Sequence, residues 1–212
     1  MERKYWGHAD LENLDRRFRA NLVNSIGGFK CLTLVGTLSG KGNLNLATFN
    51  SIFHLGADPA LCGMVLRPAE PGENTLGNIL HTGQFTLNHV LPSFYEQAHQ
   101  CSAKYPEGIS EFAEVGLTPE WKNGIRAPFV QESCIKIACQ FEQKIDIHLN
   151  GTVIIVGRMI HLEAPDSCVL EDGTIDLEVA QTVTSSGLDS YHLTKRLGKL
   201  PYAKVPVHLI KE

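Results

Sequence analysis

Residues 43–90 read NLNLATFNSIFHLGADPALCGMVLRPAEPGENTLGNILHTGQFTLNHV, and in this stretch polar turn residues interrupt apolar runs at regular places. Two of the runs, ALCGMVL at 60–66 and FTLNHVL at 85–91, are typical of β-strands. Between them lie a loop rich in Pro and Gly and a short predicted helix, TLGNILHTG. The stretch contains neither a cluster of metal ligands nor a nucleophilic triad. We therefore expect any chemistry here to come from a bound cofactor.

An amphipathic helix is predicted near the start of the chain. Its apolar residues recur at intervals of three and four, and Gly27 and Gly28 end the pattern. These apolar residues are Leu11, Leu14, Phe18, Leu22 and Ile26. We expect this helical extension, residues 1–28, to cover one face of a sheet. At residues 31–38 the sequence CLTLVGTL changes to the alternation of a strand, and SGKGN supplies the next turn.

Two long β segments are predicted in the second half of the chain, at residues 135–149 and 152–162. A bulge is expected at Gln143 and Lys144. Asn150-Gly151 predicts a two-residue type I′ hairpin between the segments, because both central residues of that turn need a positive φ.

The remaining tail, residues 165–212, offers a last strand at 205–210 that Pro206 weakens. Strands dominate, and no regular alternation of strands and helices indicates a doubly wound sheet. The pattern favours one mainly β domain over residues 1–212, a closed antiparallel barrel with inserted helices.

Composition argues against several classes of partner. The 212 residues have a net charge of -4 and a pI of about 6.1, which gives no reason to expect nucleic acid or a lipid surface. The start lacks the apolar core of a signal peptide, and no apolar stretch approaches the roughly 20 residues that span a bilayer. Six scattered cysteines favour reduced, buried thiols, and nine dispersed histidines indicate no metal site. We expect a cytoplasmic protein.

The sequence GTLSGKG at 36–42 is superficially like a phosphate-binding P-loop. That motif needs four residues between its glycines and a Ser or Thr after its Lys. Here three residues intervene and Gly42 follows Lys41, so a hairpin turn is favoured. No GxGxxG follows a strand, and a Rossmann dinucleotide site has no support.

The segment ATFNSIF, residues 47–53, places compact hydrogen-bonding groups between apolar strands: Thr48, Asn50 and Ser51. A flat heteroaromatic ring with carbonyl and N–H groups at its edge would suit such a wall. The alternative is an ordinary strand edge or turn.

A second polar group follows the next strand. Arg67 lies at the strand end, and GENTLGN places Asn74 and Thr75 at a predicted helix start. A cation, a hydroxyl and free helix N–H groups together would hold a phosphate monoester. The alternative is that Asn74 or Thr75 only caps the helix.

The order of these motifs resembles the flavin reductase-like, FMN-binding split-barrel family over about residues 19–202. NLVNSIGGFKCLTLVGT is similar to the first strand of that family, NLATFNSIFHLGADPALCGMVLRP to its flavin wall, and NTLGNILHTGQFTLNHV to its phosphate loop, helix and next strand. SEFAEVGLTPEW and the closing LPYAKV are also similar to it.

Members of that family are typically homodimers of a six-stranded antiparallel split β-barrel of Greek-key type, which bind FMN near the subunit interface. The resemblance implies isoalloxazine and ribityl contacts from Thr48, Phe49, Asn50 and Ser51, a phosphate site of Arg67, Asn74 and Thr75, and supporting positions at His54 and Asn88. Relatives often carry a basic residue just before this Thr, whereas GENT has Glu73 and Asn74. One phosphate-neutralising charge is therefore expected to be missing.

The resemblance implies an FMN-dependent oxidoreductase in which NADH or NADPH delivers a hydride to flavin N5. Flavin would supply the redox chemistry, which accounts for the missing triad, and no side chain is assigned as a catalytic acid or base. Two alternatives stay open: a flavin-binding electron carrier without NAD(P)H turnover, and a dimeric scaffold that has lost its ligand.

Overall fold

The structure is a computed structural model that describes residues 2–68, 72, 74–106 and 108–205. Its helices are α1 (His8–Asn13), α2 (Arg16–Ser25), α3 (Thr75–Thr82), α4 (Tyr95–Gln100) and α5 (Glu111–Val115). Its strands are β1 (Lys30–Cys31), β2 (Thr33–Leu38), β3 (Leu44–Phe49), β4 (Ile52–Ala57), β5 (Ala60–Leu66), β6 (Gln84–His89), β7 (Pro119–Glu120), β8 (Phe129–Val130), β9 (Lys136–Ile147), β10 (Thr152–Glu163), β11 (Thr184–Ser186) and β12 (Ser190–His192).

The main sheet has seven antiparallel strands in the order β3-β2-β6-β9-β10-β5-β4. Its two edges, β3 and β4, are consecutive in the chain and are joined through Asn50 and Ser51. The predicted mainly β antiparallel fold with inserted and flanking helices is confirmed. The sheet has seven strands rather than the six expected, because regular pairing stops at Asn50 and Ser51 and divides that segment into β3 and β4.

The sheet is curled, because its two edges are joined by only two residues. β3 and β4 lie six strand spacings apart, which would be about 29 Å in a flat sheet at a spacing of about 4.8 Å. The three residue steps from Phe49 to Ile52 span at most about 11 Å. The sheet must therefore curl round as a barrel does, and it buries Val35, Met64, Phe85 and Ile155 in one cluster.

Strand β2 is buried on both faces, because helices cover the outside of the barrel at this place. Leu34 packs outward into a second cluster with Phe94, beside α4, and Phe112 of α5. Gly36 is the position of closest approach, since a Cβ there would lie 2.1 Å from the carbonyl oxygen of Pro128. These contacts fix β2, which pairs with β3, the strand that lines one side of the candidate site.

The predicted N-terminal helix is wrong in two respects. It is divided into α1 and α2, because the Asp15 carboxylate accepts the N–H groups of Arg17 and Phe18 at 2.9 and 3.0 Å and starts a new helix. Neither helix has a buried residue, and Phe18 is 46% exposed. The helix does not cover the sheet as expected. Phe18 and Leu22 instead line a groove beside the turn between β11 and β12.

The predicted type I′ turn is also wrong. The loop between β9 and β10 has four residues, 148–151, and only Gly151 among them has a positive φ, 73°. Gly151 N–H donates to the Ile147 carbonyl at 2.9 Å, and the Asn150 side chain accepts from Thr152 N–H at 3.1 Å. That side-chain bond turns the chain without a second residue of positive φ.

Three further details differ from expectation. The bulge in β9 lies at Glu142, one residue before the predicted position, because Gln143 pairs with Val156 and Phe141 with Gly157. The small sheet β1-β11-β12 was not predicted. The proposed last strand at 205–210 falls outside the described residues except for Val205, which is in no strand.

All six cysteines are free. In the described part of the chain, no helix combines the length and apolar character that crossing a bilayer requires.

Candidate functional site

A cavity of about 670 Å³ lies along the open edge of β3. Most of its wall comes from four places: β3 with the β3–β4 junction, the start of α3 with the end of β5, the α4–α5 segment, and the β11–β12 hairpin. Asn24, Leu32 and Thr152 complete the lining. The cavity brings together both polar groups that the sequence singled out, although they are separated along the chain. Seven of the predicted site residues line it: Thr48, Phe49, Asn50, Ser51, Arg67, Asn74 and Thr75.

The first group, Thr48 to Ser51, forms one wall at the point where β3 stops. The Asn50 amide donates to the Gly187 carbonyl at 3.1 Å, and Ser51 Oγ donates to Asn50 Oδ1 at 3.3 Å. Thr48 Oγ1 donates to the Ala98 carbonyl, so its proton is committed and its oxygen can only accept from a ligand. The junction therefore presents short polar groups that the surrounding elements hold in place. We call Thr48 to Ser51 the ring wall.

The second group lies at the start of α3. Asn74 is the N-cap, with its side-chain oxygen accepting from Gly77 N–H at 3.0 Å. A Cβ on Gly77 would lie 2.3 Å from the Gly72 carbonyl oxygen, so glycine allows the preceding loop to fold over the first helical turn. Thr75 and Leu76 of that turn line the cavity, and Arg67 approaches from the end of β5. A helix N-terminus, a hydroxyl and a guanidinium thus converge.

A buried amide network orients Thr75. Asn45 Nδ2 donates to Thr75 Oγ1 at 3.3 Å and to Thr37 Oγ1 at 3.1 Å, and Asn78 Nδ2 donates to the same Thr37 oxygen at 3.1 Å. Because Thr75 Oγ1 accepts from Asn45, its own proton is directed to another acceptor. Sequence reasoning missed Asn45, which also lines the cavity. The signal available was a polar residue in β3 on the same face as Ala47 and Phe49.

Two predicted supporting residues lie elsewhere. Asn88 is fully buried, donates to Leu34 and Thr86 at 3.1 and 3.0 Å and accepts from Val130 N–H at 3.0 Å. These bonds join β6 to its neighbours and leave Asn88 away from the cavity. His54 is exposed on the edge strand β4 and does not line the cavity either. Glu73, the predicted departure at the phosphate site, lies outside the described residues.

The opposite walls of the cavity were not predicted, because neither carries a local motif. Glu111 Oε2 accepts from Leu46 N–H on the open edge of β3 at 2.9 Å, and burial raises the pKa of this carboxyl. Burial and the nearby Glu111 raise the pKa of Cys101 to about 12, so this thiol is not a nucleophile near neutral pH. Tyr191 is held by His99, whose Nδ1 lies 2.6 Å from the phenol oxygen.

The charges on the cavity wall are few. Among the described lining residues, Arg67 is the only cation and Glu111 the only acid. Groups of three or more His, Cys, Asp and Glu able to hold a metal ion are absent from the residues that the structure describes. The arrangement suits a ligand with a largely uncharged planar part and one anionic group near Arg67 and Thr75.

Comparisons with known proteins agree with this geometry. A family model described as "Flavin reductase like domain" matches residues 30–175. A split-barrel protein from Shewanella frigidimarina NCIMB 400, assigned provisionally as a flavin reductase, has 42% identity and a TM-score of 0.90, with 94% of this chain and 100% of that chain covered.

The chain is also similar, at lower identity, to a second solved structure and to a sequence relative. Nitrilotriacetate monooxygenase component B from Bacillus cereus has 19% identity and a TM-score of 0.82, with 94% of this chain and 100% of that chain covered, which supports the fold. An uncharacterised protein from Halalkalibacterium halodurans has 28% identity over 166 residues, covering 76% of this chain and 79% of the relative.

Proposed function

The chain belongs to the flavin reductase like domain family, and we propose that it is an FMN-dependent oxidoreductase that accepts electrons from NADH or NADPH. The resemblance read from the sequence is confirmed by the family match and by the split-barrel relative. The observation that carries the proposal is the single cavity in which the ring wall and the Arg67–Thr75 group face a common space.

The residues present fit a flavin mononucleotide. The ring wall offers the amide of Asn50 and the hydroxyl of Ser51 to the polar edge of a heterocycle, and Phe49 offers an apolar surface. A volume of about 670 Å³ lies within the usual range for a small-molecule site, about 300 to 1,000 Å³. When bound, the flavin would supply the redox chemistry by exchanging a hydride with a reduced nicotinamide.

A monophosphate is favoured over a longer phosphate chain. Among the described residues, one guanidinium, one hydroxyl and one helix N-terminus lie near the start of α3, a donor set that suits a single phosphate. The oriented proton of Thr75 and the charge of Arg67 would bind this group and fix the position of the ring. This supports FMN as the resident cofactor.

We assign no catalytic acid or base. Apart from Arg67, the described ionisable groups of the cavity are Glu111, Cys101 and Tyr191, and burial raises the pKa of each. Glu111 already accepts a backbone hydrogen bond. The protein therefore acts by binding, orienting and shielding the cofactor.

A homodimer is part of the proposal. One copy leaves large apolar side chains exposed on the edge strand β4, with Phe53 at 40% and Leu55 at 48%, and on β10, with Leu162 at 55%. Isolated apolar residues are common on surfaces, but Phe53 and Leu55 lie two positions apart on an open sheet edge, which favours a partner surface. Sedimentation of the flavin-bound protein should give a dimer, and a stable monomer would contradict this part. The cytoplasmic location stays a prediction.

The reaction is tested by mixing the FMN-loaded protein with NADH or NADPH without oxygen. We expect prompt bleaching of the flavin absorbance with at least one of the two donors. Bound FMN that is not bleached by either donor, but is bleached by dithionite, would contradict the reductase and leave the electron carrier. The same experiment shows whether the protein prefers NADH or NADPH as the electron donor.

A further inference from the structure

Three serine hydroxyls in the described part of the chain are buried without a hydrogen-bond partner, those of Ser110, Ser133 and Ser185. A buried hydroxyl of this kind lowers stability, because it gives up its hydrogen bonds to water and gains none in return. Ser185 is 1% exposed, and of the three it is the one that lines the cavity. Ser185 therefore combines an unused hydrogen bond with a place in the wall of the cavity.

The hairpin positions Ser185 beside the ring wall. Ser185 of β11 lies directly opposite Tyr191 of β12, so the two side chains share one face of this small sheet. Both line the cavity. The bond from the Asn50 amide to the Gly187 carbonyl, at 3.1 Å, ties the turn of the hairpin to the ring wall. A ligand that touches the wall at Asn50 is thus next to the hairpin.

The surroundings of Ser185 suit an uncharged planar group. Leu188 and Tyr191 contribute apolar and aromatic surface from the same hairpin, and such surfaces bind flat rings. Arg67, the only cation among the described lining residues, follows β5 and is not on the hairpin. A serine hydroxyl in these surroundings can donate to a carbonyl oxygen.

We propose that Ser185 is a ligand-binding residue whose hydroxyl donates a hydrogen bond to a carbonyl oxygen of a planar heterocycle lying between the ring wall and the β11–β12 hairpin. The presence of such a ring rests on the proposed function. Two sources share this chemistry: the pyrimidine edge of the flavin, and the carboxamide of a second substrate. The hydroxyl is unpaired in the free protein because its partner is the ligand.

The test compares Ser185→Ala with Ser133→Ala, which removes an equally buried, unpaired hydroxyl that does not line the cavity. The midpoint of thermal unfolding without ligand should be unchanged or raised in both variants, because neither loses a hydrogen bond within the protein. Affinity for FMN is measured by fluorescence quenching, and affinity for benzamide, a neutral carboxamide probe, by calorimetry with and without FMN.

Ser185→Ala should weaken one of these two affinities by about three- to tenfold, the effect of one neutral hydrogen bond, and Ser133→Ala should weaken neither. A weaker affinity for FMN identifies the flavin edge as the partner of the Ser185 hydroxyl. A weaker affinity for benzamide alone identifies the carboxamide of a second substrate. Both affinities within twofold of wild type, or a fall in unfolding midpoint for Ser185→Ala alone, would overturn the proposal. Wild-type protein that binds benzamide but not FMN would contradict the proposed function alone. Wild-type protein that binds neither would contradict both the proposed function and the role of Ser185.

Discussion

Replacing Thr75 by Val removes a hydroxyl at the proposed phosphate site with little change in shape. Thr75 is 7% exposed and its oxygen accepts from Asn45 at 3.3 Å, which is a long bond. Asn45 keeps its shorter bond to Thr37 at 3.1 Å, so the free energy of unfolding should fall by only about 0.5 to 1 kcal/mol. A hydrogen bond to a charged phosphate contributes about 1.5 to 3 kcal/mol, so FMN should bind about 10- to 150-fold more weakly.

The matched control is Thr37→Val. Thr37 is fully buried, does not line the cavity, and accepts from both Asn45 and Asn78. Its loss leaves the buried Asn78 amide without this acceptor, which should lower the free energy of unfolding by about 2 to 4 kcal/mol. Urea unfolding and FMN fluorescence quenching measure the two quantities separately. A folded Thr75→Val protein that binds FMN as tightly as wild type would refute the assignment of Thr75 to the phosphate.

Three other outcomes are expected. Arg67→Ala should weaken FMN binding by about 1.5 to 3 kcal/mol with stability unchanged, because Arg67 forms no ion pair with any described residue; equal affinity would contradict its role. Burial lowers the pKa of His89 from 6.5 to about 4, so as the pH falls the unfolded chain binds a proton before the folded protein does. The free energy of unfolding should therefore be constant above pH 6.5 and fall by about 2 to 3 kcal/mol between pH 6.5 and pH 4. Urea unfolding across this range checks the slope, which should be smaller in His89→Gln. Gly36→Ala should cost at least about 2 kcal/mol because its Cβ meets the Pro128 carbonyl, whereas Gly27→Ala, with its nearest contact at 3.5 Å, should be nearly neutral in the same assay.

The strands of the barrel could be predicted because their signals are local. ALCGMVL coincides with β5, and the long return strand from Thr152 appears as β10. Helix α3 was also recognisable, since Asn74 and Gly83 bound it and each has its usual capping role. In each case a short segment contains both the periodicity and the residues that end it.

The parts that could not be predicted depend on tertiary contacts. A single helix was expected from the apolar spacing around Phe18, yet the Asp15 cap breaks it, and its apolar side is not buried. Asn150-Gly151 correctly predicted a turn between the two long strands, but the loop is longer than two residues. It is held by a hydrogen bond from the Thr152 backbone N–H to the Asn150 side chain. Local propensity does not decide where a helix breaks or how long a loop is, because the competing conformations differ little in free energy.

The candidate site shows the same division. The ring wall and the Arg67–Thr75 group were found because each has a compact motif in sequence. Asn45 and Ser185 were missed, because a single polar residue in a strand carries no signal until the fold shows which surface it faces. Asn88 was included because of its neighbourhood in sequence, but its hydrogen bonds go to β2, to its own strand and to β8, away from the cavity.

Flavin binding is the central claim, and it is tested most directly by titrating FMN with the purified protein and following the quenching of flavin fluorescence. We expect saturable binding with a Kd on the order of 1 μM or tighter. Protein that carries no flavin absorbance when purified and leaves the fluorescence of added FMN unchanged would contradict the claim.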